Sequence, residues 1–323
     1  MTMRSLIAVL ATGIALFSTP ACADPPPYRI GVLISPVAAS PLEEGLREGL
    51  RELGYAEGKD IIVEWRRSAT GAEEELRLLA TDLVGSRVQL IVASGGLAAR
   101  AALTATKLPV VFAPVGDPVE TGLAMSLARP DGNGTGVSIV ASELIGKRLE
   151  VLRALIPQAR RIVYLGNSSA PLAAGVLEAA KKAAQTLRVK LMILDARNAD
   201  ELDTALRALV KSGADGVVVT GDFLFLANKA KVAEAVRKAK LPAMFPVKEY
   251  HDHGVLMSYG PNLTEAMRRA AVYVDKILKG ANPSDLPIEQ ISKFELIIDL
   301  RAARALKLKV PHALLLRADE VIQ

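Results

Sequence analysis

The chain has 323 residues, 50% hydrophobic but only 4% aromatic, enough for two domains with cores built from Ala, Val, Leu and Ile. Its formal charge of +5 comes from basic residues interleaved with acidic ones along helix faces, with no aromatic stripe for stacking, which argues against a nucleic-acid partner. A single cysteine and three histidines rule out a disulfide framework and leave any metal-ligand set incomplete.

The N-terminus has the form of an export signal over residues 1–23. Arg4 precedes an apolar run from Leu6 to Phe17, and Ala21-Cys22-Ala23 before Asp24 fits a secretory cleavage site. No later stretch approaches the ~20 unbroken apolar residues of a membrane span, so the mature chain is expected to be soluble and periplasmic. Were Cys22 to become the first residue it could carry a lipid. Thr19-Pro20-Ala21 lacks the Leu usual three places before a lipidated cysteine, so simple secretion is the expectation.

From Arg29 the chain alternates strand and helix patterns. Arg29–Ile34 reads as a buried strand, followed by a helix over about Leu42–Leu53 that Gly54 stops. Ile61–Trp65 is a second strand, and Leu76, Leu79, Ala80, Leu83 and Val84 mark one apolar helix face. Leu90–Ser94 ends in Gly95-Gly96, an Ala-rich helix follows, and Val110 to Val115 is the next strand, a βαβ pattern of a parallel sheet. Thr135–Ile139 completes a first series, and a helix over Glu143–Ile156 leads to a second with strands at Arg161–Asn167, Lys190–Leu194, Gly216–Thr220 and Leu241–Val247. Lys107-Leu108-Pro109-x-x-Phe112 returns 133 residues later as Lys240-Leu241-Pro242-x-x-Phe245 at the same place in that series, so two similar α/β lobes are expected. Val255–Gly260 reads as a strand and Met267, Ala270, Ala271, Val274 and Leu278 as a helix face ending at Gly280. Strands at Ile288–Ile291 and Phe294–Ile298 and a helix ending near Leu306 follow. These last pieces have to be shared between the lobes, so the chain crosses more than once.

Several stretches carry a family resemblance. They are Gly116-Asp117-Pro118-Val119 with Gly122-Leu123, the segment 132–137, Met257-Ser258-Tyr259-Gly260, and Ala271 to Gly280. Phe294 to Leu300 and Leu314 to Val321 add to these. Nearly the whole mature chain resembles the periplasmic solute-binding proteins of ABC importers, close to tryptophan- and aromatic-amino-acid-binding members. The resemblance implies the type I periplasmic binding protein fold: two doubly wound, Rossmann-like lobes joined by a three-crossing hinge. It would put residues 28–138 and 254–282 in one lobe and 139–253 and 283–323 in the other. It also implies a monomer that needs no cofactor, closes on a small ligand such as an amino acid or related carboxylate, and delivers it to an inner-membrane permease.

The candidate ligand residues lie at strand ends, where ligands of parallel sheets bind. Ser94-Gly95-Gly96 brings backbone N–H groups and a helix N-terminus to an anion, or is an ordinary capped turn. In relatives a serine in this loop holds the ligand carboxylate and an acid of the opposite lobe its ammonium; Glu249 matches by strand position, with Asp222 the substitute. Asp117, next to Val115 and Gly116, either caps the following helix or contacts ligand. Ser35, Asn167, Ser168 and Tyr259 complete a ring of donors and acceptors, and Tyr259 or Phe223 supplies an apolar wall. His251-Asp252-His253 reads as a surface turn rather than a metal site. Dinucleotide, phosphate-loop and nucleophile-elbow motifs are missing, which disfavours an enzyme. A sensor adaptor for a membrane receptor, and after it a secreted hydrolase, are the alternatives left open.

Overall fold

The computed structural model describes residues 27–34, 40–139 and 141–323; the export signal, Cys22 and Ser35 fall outside them. The first lobe opens with β1 (Tyr28–Ile34), α1 (Ser40–Glu52), β2 (Ile61–Arg67) and α2 (Glu73–Gly85). It continues through β3 (Leu90–Ser94), α3 (Gly96–Ala105), β4 (Val110–Val115) and β5 (Gly134–Ile139). In the second, α4 (Ala141–Leu155), β6 (Arg161–Gly166), α5 (Ala173–Thr186), β7 (Lys190–Asp195), α6 (Ala199–Lys211) and β8 (Gly216–Val219) precede α7 (Phe223–Ala227), α8 (Lys229–Ala239) and β9 (Ala243–Phe245). A 3-10 helix (Lys248–His253) leads to β10 (Met257–Gly260) and α9 (Leu263–Leu278). Then come β11 (Glu289–Ile291), β12 (Glu295–Asp299), α10 (Leu300–Ala305), α11 (His312–Leu315) and β13 (Glu320–Ile322).

The strands form two sheets, in the orders β11-β5-β4-β3-β1-β2 and β13-β12-β10-β9-β8-β6-β7. Among the described residues only β10 and β12 pair antiparallel. Reading β2-β1-β3-β4-β5 against β7-β6-β8-β9-β10, the second sheet repeats the first, with an edge added. The repeated Lys-Leu-Pro-x-x-Phe shows why: the carbonyl of Pro109 accepts from Ile91 N–H at 2.9 Å, and that of Pro242 from Val217 N–H at 3.0 Å. Each proline thus enters the ladder by its acceptor at a strand start, where its missing donor does least harm. Pro242 and Pro246 also flank β9, leaving it three residues rather than the expected Leu241–Val247.

Strand interiors such as β3 and β4 are wholly buried, as helices on both faces require. Buried Leu42, Leu46 and Leu50 face the first sheet from α1, while Gly45 and Gly49 let α1 touch the backbone of α9: a Cβ on Gly45 would stand 2.1 Å from the Thr264 carbonyl oxygen.

The crossings differ from the expected lobe boundaries. β10 pairs with β9 through Met257↔Met244, so residues 254–260 belong to the second sheet, and only α9 returns to the first lobe. β11 pairs with β5 through Glu289↔Val137, which keeps the chain in the first sheet beyond residue 283. The later crossings therefore fall near Pro261 and near Ser292–Phe294, each after a strand has extended its sheet edge. The two connections are tied together by Asn262 Nδ2 donating to Glu295 Oε1 at 3.1 Å.

Candidate functional site

Residues just past the carboxyl ends of strands in the two sheets touch one another. A Cβ on Gly95 would lie 2.4 Å from the Phe223 ring of the opposite lobe, and one on Gly116 would lie 2.2 Å from Leu172 Cδ1. Gly95 also sits at φ 89°, a left-handed conformation that side chains avoid, so this turn is closed to other residues twice over.

On the first lobe, β3 delivers Ser94, which is fully buried with an Oγ that has no hydrogen-bond partner. Gly95 N–H donates to the Pro114 carbonyl, and α3 then starts at Gly96 without a side-chain cap. A buried hydroxyl beside an uncapped helix N-terminus favours a carboxylate. Val115 is buried at the end of β4. Asp117 Oδ1 accepts from the N–H groups of Val119 and Glu120 at 2.9 and 3.0 Å, so this oxygen serves the turn, as in the capping alternative.

On the second lobe, Glu249 sits in the 3-10 helix after β9, 7% exposed, and neither carboxylate oxygen has a partner. Burial raises its pKa, against its own backbone N–H and the pull of Lys248 and Lys229. Asp222 caps α7 by accepting from Leu224 N–H at 2.8 Å and accepts from Asn167 Nδ2 at 3.2 Å; burial raises its pKa as well. Asn167 Oδ1 also closes a turn by accepting from Ser169. Ser168 is spent on Asp195, its Oγ donating at 2.6 Å toward the outer strand β7. The Tyr259 ring stands 6.1 Å from Phe294 at the last crossing. His251 Nε2 is 3.0 Å from Ser258 Oγ, in a 3-10 turn rather than an extended stretch.

Two further residues complete the second wall. Tyr250 is fully buried against Phe245, ring centroids 4.5 Å apart, and its hydroxyl has no partner. Burial holds that hydroxyl well above the usual tyrosine range; Asp222 and Glu249 push it further, and Arg148 opposes them. Arg148 is 4% exposed, donates from Nε to the Tyr259 carbonyl at 2.8 Å and from Nη2 to that of Pro246 at 3.2 Å, and has its pKa lowered by burial to about 10. It has no carboxylate partner among the described residues. Its signal in the sequence was a lone cation on the apolar stripe Leu144, Ile145, Leu149, Leu152 of α4.

Residues 29–322 match the family described as ABC transporter substrate binding protein. The chain belongs to that family. This substrate-binding protein is 25% identical over 295 residues to a tyrosine-binding protein of Clostridioides difficile strain R20291, covering 90% of this chain and 84% of the relative. It is similar to an ABC domain from Streptococcus pneumonia solved in complex with L-Trp, at 25% identity and TM-score 0.84, covering 92% of this chain and 100% of the other. It is also similar to the ligand-free, open structure of a substrate binding protein with adhesive properties from Clostridium difficile, at 24% identity and TM-score 0.66, covering 92% and 99%. The substrate-binding protein thus has the type I periplasmic fold, as the resemblance implied. None of its helices among the described residues is long and apolar enough to cross a membrane.

Proposed function

We propose that this substrate-binding protein captures an amino acid by closing its two lobes on the ligand, and presents the closed form to a membrane permease after export to the periplasm as a monomer. The carboxylate sits at Ser94, Gly95 and Gly96, and the ammonium at Glu249, with Asp222 the alternative acid and Phe223 as an apolar wall. One observation carries the reading: a buried serine hydroxyl and a buried carboxylate, both without partners, lie on opposite lobes that meet at Gly95 and Phe223. Unpaired buried polar groups are costly, and a zwitterion satisfies both. The relatives' ligands, tyrosine by name and L-Trp by structure, favour an aromatic side chain. The higher overlap with the L-Trp complex than with the open relative, at similar identity, supports a closed arrangement of the lobes. No histidine hydrogen-bonds Ser94, which favours binding over hydrolysis.

The test is calorimetric titration with L-Tyr, L-Trp and the other amino acids, alongside the matching amines and keto acids. Ser94→Ala should weaken binding about tenfold and Glu249→Gln about a hundredfold, the latter because a charge-assisted bond to an ammonium is lost. Equal binding of amine, keto acid and amino acid, or variants that bind as tightly as the parent, would overturn the proposal.

A further inference from the structure

The lobes also meet at Gly116, apart from the groups to which the ligand's carboxylate and ammonium are assigned. Gly116 follows β4, and its φ lies outside the left-handed region, so its conformation does not demand glycine. Leu172 Cδ1 of the second lobe, however, fills the position of a Cβ at 2.2 Å, so a methyl group there would push the leucine tip out of its seat. Leu172 is the residue just before α5, half-buried and offering no side-chain cap. One turn on, Glu120 Oε1 of the first lobe lies 3.1 Å from where a Cβ on Gly175 would stand, setting a carboxylate over the first turn of that helix. Two glycines, one on each lobe, thus receive one apolar and one acidic side chain from the other.

We infer that Leu172 and Gly116 are the knob and socket of a latch that sets how readily the cleft closes. These are positioning residues: they act on affinity through the closed population, without touching the ligand. Closing buries the leucine and brings Glu120 to the positive end of α5; opening exposes both. The observed affinity for any ligand scales with the fraction of closure-competent protein. The inference rests on the hinge-closure reading of the function, although its test needs no ligand.

The experiment places reporter thiols at the second contact, Glu120→Cys with Gly175→Cys, in a Cys22→Ser background. The rate of cross-linking by a short bismaleimide is measured and normalised to labelling of the same thiols by a monomaleimide. Adding Gly116→Ala puts a methyl group where Leu172 packs, and should slow cross-linking about tenfold. Adding Leu172→Ala as well vacates that space and should bring the rate back to within about twofold of the reporter alone. Recovery by a second substitution separates blocked closure from misfolding. A Gly116→Ala rate equal to that of the reporter, a double variant that stays slow, or a reporter that does not cross-link would each overturn the latch. Failure to find an amino-acid ligand by calorimetry would sink the proposed function and leave these rates interpretable.

Discussion

Glu249→Gln should make the ligand-free protein more stable while destroying much of its binding. The carboxylate is 7% exposed, neither oxygen has a hydrogen-bond partner, and Asp252 and Tyr250 stand close by, so burial raises its pKa above the ordinary 4.5. The sign follows from linkage. A carboxyl whose folded pKa exceeds its unfolded value binds its proton more tightly when folded, so its contribution to stability is fully present below the unfolded pKa. That contribution is lost as pH rises through the folded pKa. At pH 7.5 the wild type therefore carries either a stranded charge or the cost of protonating it, whereas glutamine has the same shape and no charge. Relief from a stranded buried group is worth about 1–3 kcal/mol. Lys229 and Lys248 attract the carboxylate and trim the gain toward the lower end of that range.

The assay is scanning calorimetry of protein freed of ligand, for both forms, at pH 4.5 and pH 7.5. A gain of about 1 kcal/mol corresponds to roughly 2–4 °C in a domain of this size. The variant should melt higher at pH 7.5, and the difference should shrink toward pH 4.5 as the wild-type carboxyl takes up its proton. A variant that melts lower than the wild type at pH 7.5 would refute the reasoning, because it would mean that the carboxylate already has a stabilising partner. A difference that does not vary with pH would also refute it, since the charge would then not be the cause.

Two other outcomes follow from groups outside the proposed ligand contacts. Arg148→Met removes a buried cation but strands the carbonyls of Pro246 and Tyr259, and should lower stability by about 1–3 kcal/mol, read as a lower urea midpoint with an unchanged slope. Glu75 accepts from the side chains of Ser68 and Thr70 and from the backbone of Ala69 and Thr70, which together hold its pKa at about 2. Its stabilising contribution is present above pH 4.5 and lost as pH falls toward 2, so Glu75→Gln should flatten that part of the acid-unfolding curve, followed by circular dichroism.

Much of the architecture was legible because the physics is local. An apolar run capped by small residues makes a buried strand wherever it occurs, and Lys-Leu-Pro-x-x-Phe marked the same step in both lobes because a strand-opening proline can still accept a ladder bond. The lobe boundaries were less legible. Nothing within Val255–Gly260 says whether it joins one sheet or the other; that is decided by pairing with β9, a partner itself shortened by flanking prolines. Ser94, Gly95, Phe223 and Glu249 could be named as candidates from their place near strand ends, and the fold brings Gly95 and Phe223 into contact. The two sides of Asp117, cap and ligand contact, could not be separated without knowing where the N–H groups of Val119 and Glu120 point. Arg148 and Tyr250 went unseen because a cation on an apolar helix stripe and a tyrosine next to an acid have no periodic signature; only the fold shows them converging.

The distribution of unpaired groups explains how a hinge becomes selective. Ser94 Oγ lies on one lobe, and the Glu249 carboxylate and Tyr250 hydroxyl lie on the other. Within one rigid domain each would be a standing defect of about 1–3 kcal/mol. Across a hinge the defect becomes conditional: each lobe alone leaves its groups unpaired, and closure on a ligand supplies the partners that neither lobe provides. In the binding mode proposed above, closure on a ligand without an amine would leave the acid stranded, and closure on one without a carboxylate would leave Ser94 and the end of α3 bare. Sites built to bond a polar group reject analogues that lack it far more strongly than apolar pockets reject a missing methylene. Discrimination by this cleft therefore comes less from how tightly it grips the right ligand than from how poorly it closes on the wrong one. Keto acids and amines should fail at the closing step, leaving scattering profiles of the free protein.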